Sequence, residues 1–143
     1  MEWVRDVLLY RAYTDETRYY CSADCFLFIL GQLVDHPDHP KLHDELVPPL
    51  RERVQERIGA TNDALSIAMR ILTCKKLGLR YDTDIRSLRN FQCEDGSWDV
   101  GWMYQYGASG LRIGNQGLTT AFAVNALDGH YIETLKRGLS MLT

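Results

Sequence analysis

Apolar residues recur along most of this chain at the three- and four-residue spacing that places them on one face of a helix. Trp3, Val7, Leu8 and Tyr10 form such a stripe and predict a first helix over residues 2–13. "TDETRYY" interrupts it. Ser22 then reads as an N-cap, with Asp24 in a first turn that favours negative charge. The helix it opens should run to about residue 34 and stop at "DHPDHP", where prolines forbid continuation. Its "CFLFIL" run is apolar on every side and predicts burial all round. A third helical region covers 41–58, split at Pro48 and Pro49 and ended by Gly59.

The segment "TNDALSIAMRILTCKKLG" carries the cleanest helical pattern. Thr61 or Asn62 caps it, Leu65, Ala68, Met69, Leu72 and Leu77 make its stripe, and Gly78 ends it. Thr83 caps a short helix through Phe91. Residues 93–117, rich in glycine and aromatics, read as irregular, and "GASGLRIGNQG" within them as a tightly folded loop or lid. Residues 118–127 form a small-residue apolar helix broken by Gly129, and a last helix carries Tyr131, Leu135, Leu139 and Leu142. Six or seven helices joined by short turns, with no strand, predict an all-α fold of stacked antiparallel helical hairpins. At 143 residues the chain reads as one domain, 1–143.

Charge and cysteine usage narrow the function classes. A net charge of −3 lacks the basic footprint of a nucleic-acid binder, and Arg51, Arg53 and Arg57 alternate with Glu52 and Glu56 as on a solvated helix face. No apolar run approaches the roughly 18 residues of a membrane span. The N-terminus is acidic and amphipathic, unlike an export signal, and the four cysteines follow no CxxC pattern. Reduced thiols in a cytoplasmic protein are therefore expected. His36, His39 and His43 alternate with Asp35, Asp38 and Asp44 in a segment that the prolines mark as a surface loop, so no metal site is assigned.

"LRNFQCEDGSW", residues 88–98, gathers a Gln, an Asp-Gly turn and a Trp. At a helix end the Gln92 amide can donate to carbonyls that lack partners. Gly96 supplies the turn after Asp95, and Trp98 offers a flat face to the Gln amide. This pattern resembles the QW repeat of the terpenoid cyclase and protein prenyltransferase toroids, of the squalene–hopene cyclase type, over residues 88–127. The resemblance implies a partial α/α toroid, a half-barrel or small bundle, with residues 119–127 as an inner helix. A closed ring takes about twelve helices, whereas typical helix lengths allow about half that number here. Half a ring leaves an apolar concave wall exposed, so a homodimer or a missing partner domain is expected.

Class II cyclases of that family begin by protonating an alkene or epoxide from an Asp-x-Asp-Asp-Thr pattern. "YTDET", residues 13–17, is similar to it: Asp15 takes the place of the central acid, Glu16 its neighbour and Thr17 the Thr, while Tyr13 departs from the first Asp. Such an acid must stay protonated near neutral pH, which requires burial. Carbocations are held by aromatic faces, and Tyr19, Tyr20, Phe26, Phe28, Trp102, Tyr104 and Tyr106 could line an apolar pocket. Arg112 and Arg18 stand near the two unusual loops for a diphosphate, with which Mg²⁺ could enter; no other cofactor is implied. The aspartate-rich class I motif, a phosphate-binding glycine loop and a GxSxG elbow are missing. The resemblance therefore implies an isoprenoid-processing enzyme of class II cyclase type, or the β-like domain of one. The alternative is a non-catalytic helical module that binds an apolar ligand or a partner protein.

Overall fold

In the computed structural model the described residues are 2–15, 19–36 and 38–129, and the helix expected around Tyr131 to Leu142 lies outside them. Six α-helices follow one another: α1 (Glu2–Leu9), α2 (Ala23–Leu33), α3 (Pro40–Arg57), α4 (Ala64–Leu77), α5 (Asp82–Asn90) and α6 (Gln116–Leu127). Between α5 and α6 stands a hairpin of β1 (Trp102–Tyr106) and β2 (Leu111–Gly114). The fold class is all-α, as the apolar periodicity predicts.

Side-chain caps start three of the helices. Ser22 Oγ accepts from the Cys25 amide at 3.2 Å, Asp63 Oδ1 from Ser66 at 2.9 Å, and Asn115 Oδ1 from Leu118 at 2.9 Å. Each such cap contributes about 1 kcal/mol. The α4 cap is Asp63, one residue beyond the expected Thr61 or Asn62, because Asn62 instead turns its Oδ1 onto the Asp63 amide at 2.9 Å. Gly78, at φ 65°, ends α4 in the left-handed conformation that lacks of a Cβ makes easy.

Four expectations are corrected. α1 stops at Leu9, because Arg11 turns left-handed at φ 56° and reaches Glu56 with two hydrogen bonds of 2.9 and 2.6 Å. Its inward face is Val4, Val7 and Leu8, and Trp3 and Tyr10 are exposed. α3 is not split: it runs unbroken through Pro48 and Pro49. The carbonyls left without donors belong to Asp44 and Glu45, both exposed residues whose backbone water can reach. α2 is not buried all round, since Ile29 and Leu33 are exposed; α4 instead takes the central position, buried at nearly every residue from Ala64 to Cys74. Finally, the segment expected to be irregular contains strands. Tyr104 pairs with Ile113, Gln105 with Arg112 and Tyr106 with Leu111, with an irregularity between Trp102 and Tyr104.

Alternate helices share a layer. α2, α4 and α6 pack side by side, α3 covers α2 and α4, α1 packs on α3, and α5 on α4. The three helices of the first layer run parallel. Asn62, just before α4, meets Asp24 in the first turn of α2, and Lys76 near the end of α4 meets Asp35 just beyond α2. Likewise Lys75 reaches the carbonyl of Asp128, past the end of α6, at 2.6 Å.

A buried ionic network fixes this arrangement. Arg70, in the middle of α4, donates to both carboxylate oxygens of Asp84 at 3.0 and 2.8 Å, to Asp24 at 3.1 Å and to the Ala60 carbonyl at 2.8 Å. Arg57 adds a forked pair to Asp24 at 2.8 and 2.9 Å, and the Gly59 amide donates to Asp84 at 3.0 Å. Burial works against the charge of Arg70, but the hydrogen bonds to Asp84 and the two facing carboxylates outweigh it and hold the guanidinium above its usual value. One network thus ties α2, α3, α4 and α5 together.

Candidate functional site

Because α2, α4 and α6 run parallel, their N-terminal ends meet at one end of the molecule. Below those ends, Cys25, Leu65 and Met69 form a small apolar cluster, against which Phe28 and Phe122 pack. The two rings meet edge to face, 5.5 Å apart and 70° inclined. This cluster continues into an open groove of about 440 Å³ between α2, α4 and α6. Phe28, Leu72, Leu118 and Phe122 make its apolar walls, and Gln32, Lys76 and Asn125 its polar residues.

Asp63 stands at the rim of that apolar face. Among the described residues only three carboxylates are not exposed: Asp24, Asp63 and Asp84. Asp24 and Asp84 are locked in ion pairs with Arg57 and Arg70. Asp63 is half-buried, has no ion pair among the described residues, and uses Oδ1 for its cap. Its negative charge also reaches Cys25, whose thiol is pushed up to about 11, chiefly by burial and then by the charges of Cys21, Asp24 and Asp63. Cys74 lies higher still, about 12, again through burial. Neither thiol is a nucleophile at neutral pH.

The hairpin crosses directly over this rim. The Gly101 amide donates to Thr119 Oγ1 at 2.8 Å, and a Cβ at Gly101 would run into Leu65 and lie 3.1 Å from Asp63 Oδ1. Only a glycine lets the backbone pass so close to the start of α4. At the far end of the same hairpin, the Gln105 amide donates to the Tyr19 carbonyl at 2.9 Å, and the Tyr19 and Tyr104 rings stack at 6.1 Å.

The Gln–turn–Trp segment divides its bonds differently from the sequence reading. The indole Nε1 of Trp98, not the Gln92 amide, takes a carbonyl at the end of α5, donating to Leu88 at 2.8 Å. Gln92 Nε2 donates to the Gly96 carbonyl at 2.9 Å and so closes its own turn, which Asp95 braces by accepting from the Ser97 amide and hydroxyl. Gly96 takes φ 85° there. Trp98 itself is 2% exposed, packed with Ile67, Ile71, Ile85, Leu88 and Ala123.

The other sequence-derived candidates are dispersed. Asp15 is exposed just after a short 3₁₀ turn, and Glu16 lies outside the described residues. Phe26 stacks on Tyr13 at 5.6 Å and joins the α1–α2–α3 core, away from the groove. Tyr20 and Tyr106 are exposed, and Arg112 lies across the ladder from Gln105. Trp102 packs beside Gly114 at the hairpin base. Of the expected lining, the structure thus brings Tyr19 together with Tyr104, sets Trp102 at the hairpin base and places Phe28 in the groove wall. Asp63 was missed because the cap was expected one or two residues earlier, at Thr61 or Asn62. The available signal was an acid at the start of the helix with the cleanest apolar periodicity of the chain.

Comparison with known proteins finds a similarity to a terpene cyclase. Over 132 residues, 92% of its length, the chain is 46% identical to the drimenol cyclase drtB of Aspergillus calidoustus. The aligned region is 25% of that protein, so the chain spans about a quarter of the length of the relative it matches. The similarity to that cyclase covers nearly the whole chain. No protein-family model matches the chain, and no solved structure does. Among the described residues no helix is long and apolar enough to cross a membrane.

Proposed function

We propose that this chain takes part in protonation-initiated cyclisation of an isoprenoid, in the manner of a class II terpene cyclase, as an enzyme or as the β-like domain of a longer one. The observation that carries this reading is Asp63, a sheltered carboxylate without a countercharge at the edge of an apolar, aromatic-walled face. The relation to a drimenol cyclase supports the same chemistry. In the proposed step the protonated Asp63 carboxyl donates to a terminal alkene, leaving a carbocation. The Ser66 amide, already bonded to Oδ1, stabilises the carboxylate that remains. The Phe28 and Phe122 rings offer quadrupole faces to the cation without a lone pair that would trap it.

Asp15, the acid suggested by "YTDET", is the rival within this reading, and its exposure makes it the weaker donor. Mg²⁺ would enter with a diphosphate substrate; no group of three or more His, Cys, Asp or Glu among the described residues is arranged to hold a metal. We place the protein in the cytoplasm, a reading that four free thiols support. The partial-toroid reading rests on the alternating layers, and a second copy or a further domain would cover the open face.

The test is product analysis with farnesyl and geranylgeranyl diphosphates, with and without Mg²⁺, on wild type, Asp63→Asn and Asp15→Asn. Asparagine caps a helix as well as aspartate, so Asp63→Asn keeps the fold. Its turnover should fall by about 10²-fold or more, the range of a lost general acid, while Asp15→Asn stays near wild type. Full cyclisation by Asp63→Asn would remove Asp63 from this role, and the reverse pattern would restore Asp15.

A further inference from the structure

The apolar cluster beside Asp63 is shut off in this structure, and the cover over it is weakly built. Cys25, Leu65 and Met69 are fully buried, and the backbone at Gly101 passes so close over Leu65 that a Cβ there would run into it. Beyond Gly101 the hairpin begins. No described residue from Trp102 to Gly114 is buried, so the strands add nothing to the core. A two-stranded hairpin is at best marginally stable in water by itself, and a segment with few buried apolar contacts belongs to the low-stability end of a fold. At its base the Gly101 amide donates to Thr119 Oγ1 at 2.8 Å. Further along, the Gln105 amide donates to the Tyr19 carbonyl at 2.9 Å, where the Tyr19 and Tyr104 rings stack. Two glycines face each other at the base, since a Cβ at Gly114 would run into the Gly101 carbonyl, and the ladder is irregular between Trp102 and Tyr104. Small residues beside a broken ladder have the make-up of a hinge, and the Gln105–Tyr19 bond with its ring stack that of a catch.

We infer that residues 101–114 are a lid, which turns about Gly101 and Gly114 when the catch at Tyr19 releases and so uncovers Leu65, Cys25 packed with it, and the Asp63 carboxyl. The helices beneath need not move, because the bonds of Arg70 to Asp24 and Asp84 tie α2, α4 and α5 together without any hairpin residue. A Cβ at Gly101 would lie 3.1 Å from Asp63 Oδ1, so the base of the lid sits against the carboxyl that the proposed reaction uses. What the lid admits rests on the cyclase reading: an apolar substrate, over which closure keeps water from a newly formed cation. That the hairpin opens rests on its own construction.

Two buried thiols of the full chain test it. Cys25 lies under the lid, whereas Cys74, on the same helix as Leu65, is buried in the α1–α2–α3 core. Alkylation by iodoacetamide is followed at each cysteine by peptide mass spectrometry. The Cys25 rate should hardly change with sub-denaturing urea, because lid opening exposes little surface, and the Cys74 rate should climb steeply, because global unfolding exposes much. Tyr104→Ala should speed Cys25 about two- to ten-fold, the worth of one stacked aromatic pair, and leave Cys74 unchanged. Gly101→Ala, which wedges the base against Leu65, should speed Cys25 further; if that variant unfolds and frees both thiols, Tyr104→Ala decides. Parallel urea dependence of the two thiols, or a Tyr104→Ala effect on both or on neither, would overturn the lid. Selective opening at Cys25 together with full turnover by Asp63→Asn would keep the lid and remove the acid. Lost turnover in Asp63→Asn, with Cys25 protected as well as Cys74, would do the reverse.

Discussion

Arg70 interrupts the most buried of the described helices, and its surroundings explain why it is tolerated. Every donor it directs inwards meets a carboxylate or carbonyl, and Asp24 and Asp84 each gain further partners from Arg57 and the Gly59 amide. Breaking such a pair leaves a charge stranded in the interior. Arg70→Met should therefore lower the unfolding free energy by about 3–5 kcal/mol, read from urea denaturation followed by circular dichroism. A loss within 1 kcal/mol, roughly the size of a surface pair, would show that water already reaches Asp84. The same network bears on the site: Asp24 accepts from Asn62, whose Oδ1 holds the Asp63 amide, so the candidate acid is fixed from behind by the core.

At the scale of elements, α3 carries an unusual cost. Pro48 and Pro49 each withhold a donor in the middle of an eighteen-residue helix. Pro48→Ala restores the bond to the Asp44 carbonyl, against a loss of about 0.4–1 kcal/mol from a freer unfolded chain. An interior proline costs about 3 kcal/mol, so the net should be a gain of about 2 kcal/mol, visible as a higher melting temperature. An unchanged or lower one would mean that neither the lost bond nor the clash of the proline ring with the Asp44 carbonyl costs this helix anything.

Helix existence and order were legible in the sequence, because caps such as Ser22 and Gly78 act locally. What sequence did not reveal depended on neighbours. Pro48 breaks a helix only if the freed carbonyls are buried, and here they face water. The apolar run of α2 looked central, yet Ile29 and Leu33 stay exposed, since α4 holds the position on which α2, α3, α5 and α6 pack. In the hairpin, β-favouring Trp102, Tyr104 and Tyr106 were outweighed by the glycines around them, although Gly107 and Gly110 only build its tip. The cap of α4 was expected at Thr61 or Asn62 and is Asp63; that it also borders an apolar face follows only from how α2 and α6 lie beside α4.

For the whole molecule, the open face is the feature that most affects behaviour in solution. Ile29, Leu33 and Val124 remain exposed on the layer that lines the groove, together with Leu111 and Tyr106 on the hairpin. Apolar surface of this kind promotes association, so light scattering should return the mass of two chains rather than one. A sharp single-chain mass with a cooperative melt would contradict the proposed partner.

The alternation of layers carries one more consequence. α2 with α3, and α4 with α5, form two successive units that pack on one another as in a solenoid, and α6 continues the first layer beside α4. From the start of α2 to the start of α4 is roughly 40 residues, within the range of such repeats. Duplication or loss of one unit would therefore widen or narrow the groove by one helix and leave the remaining contacts intact. Ligand size in this architecture can evolve by counting units, without redesigning the wall that each one contributes.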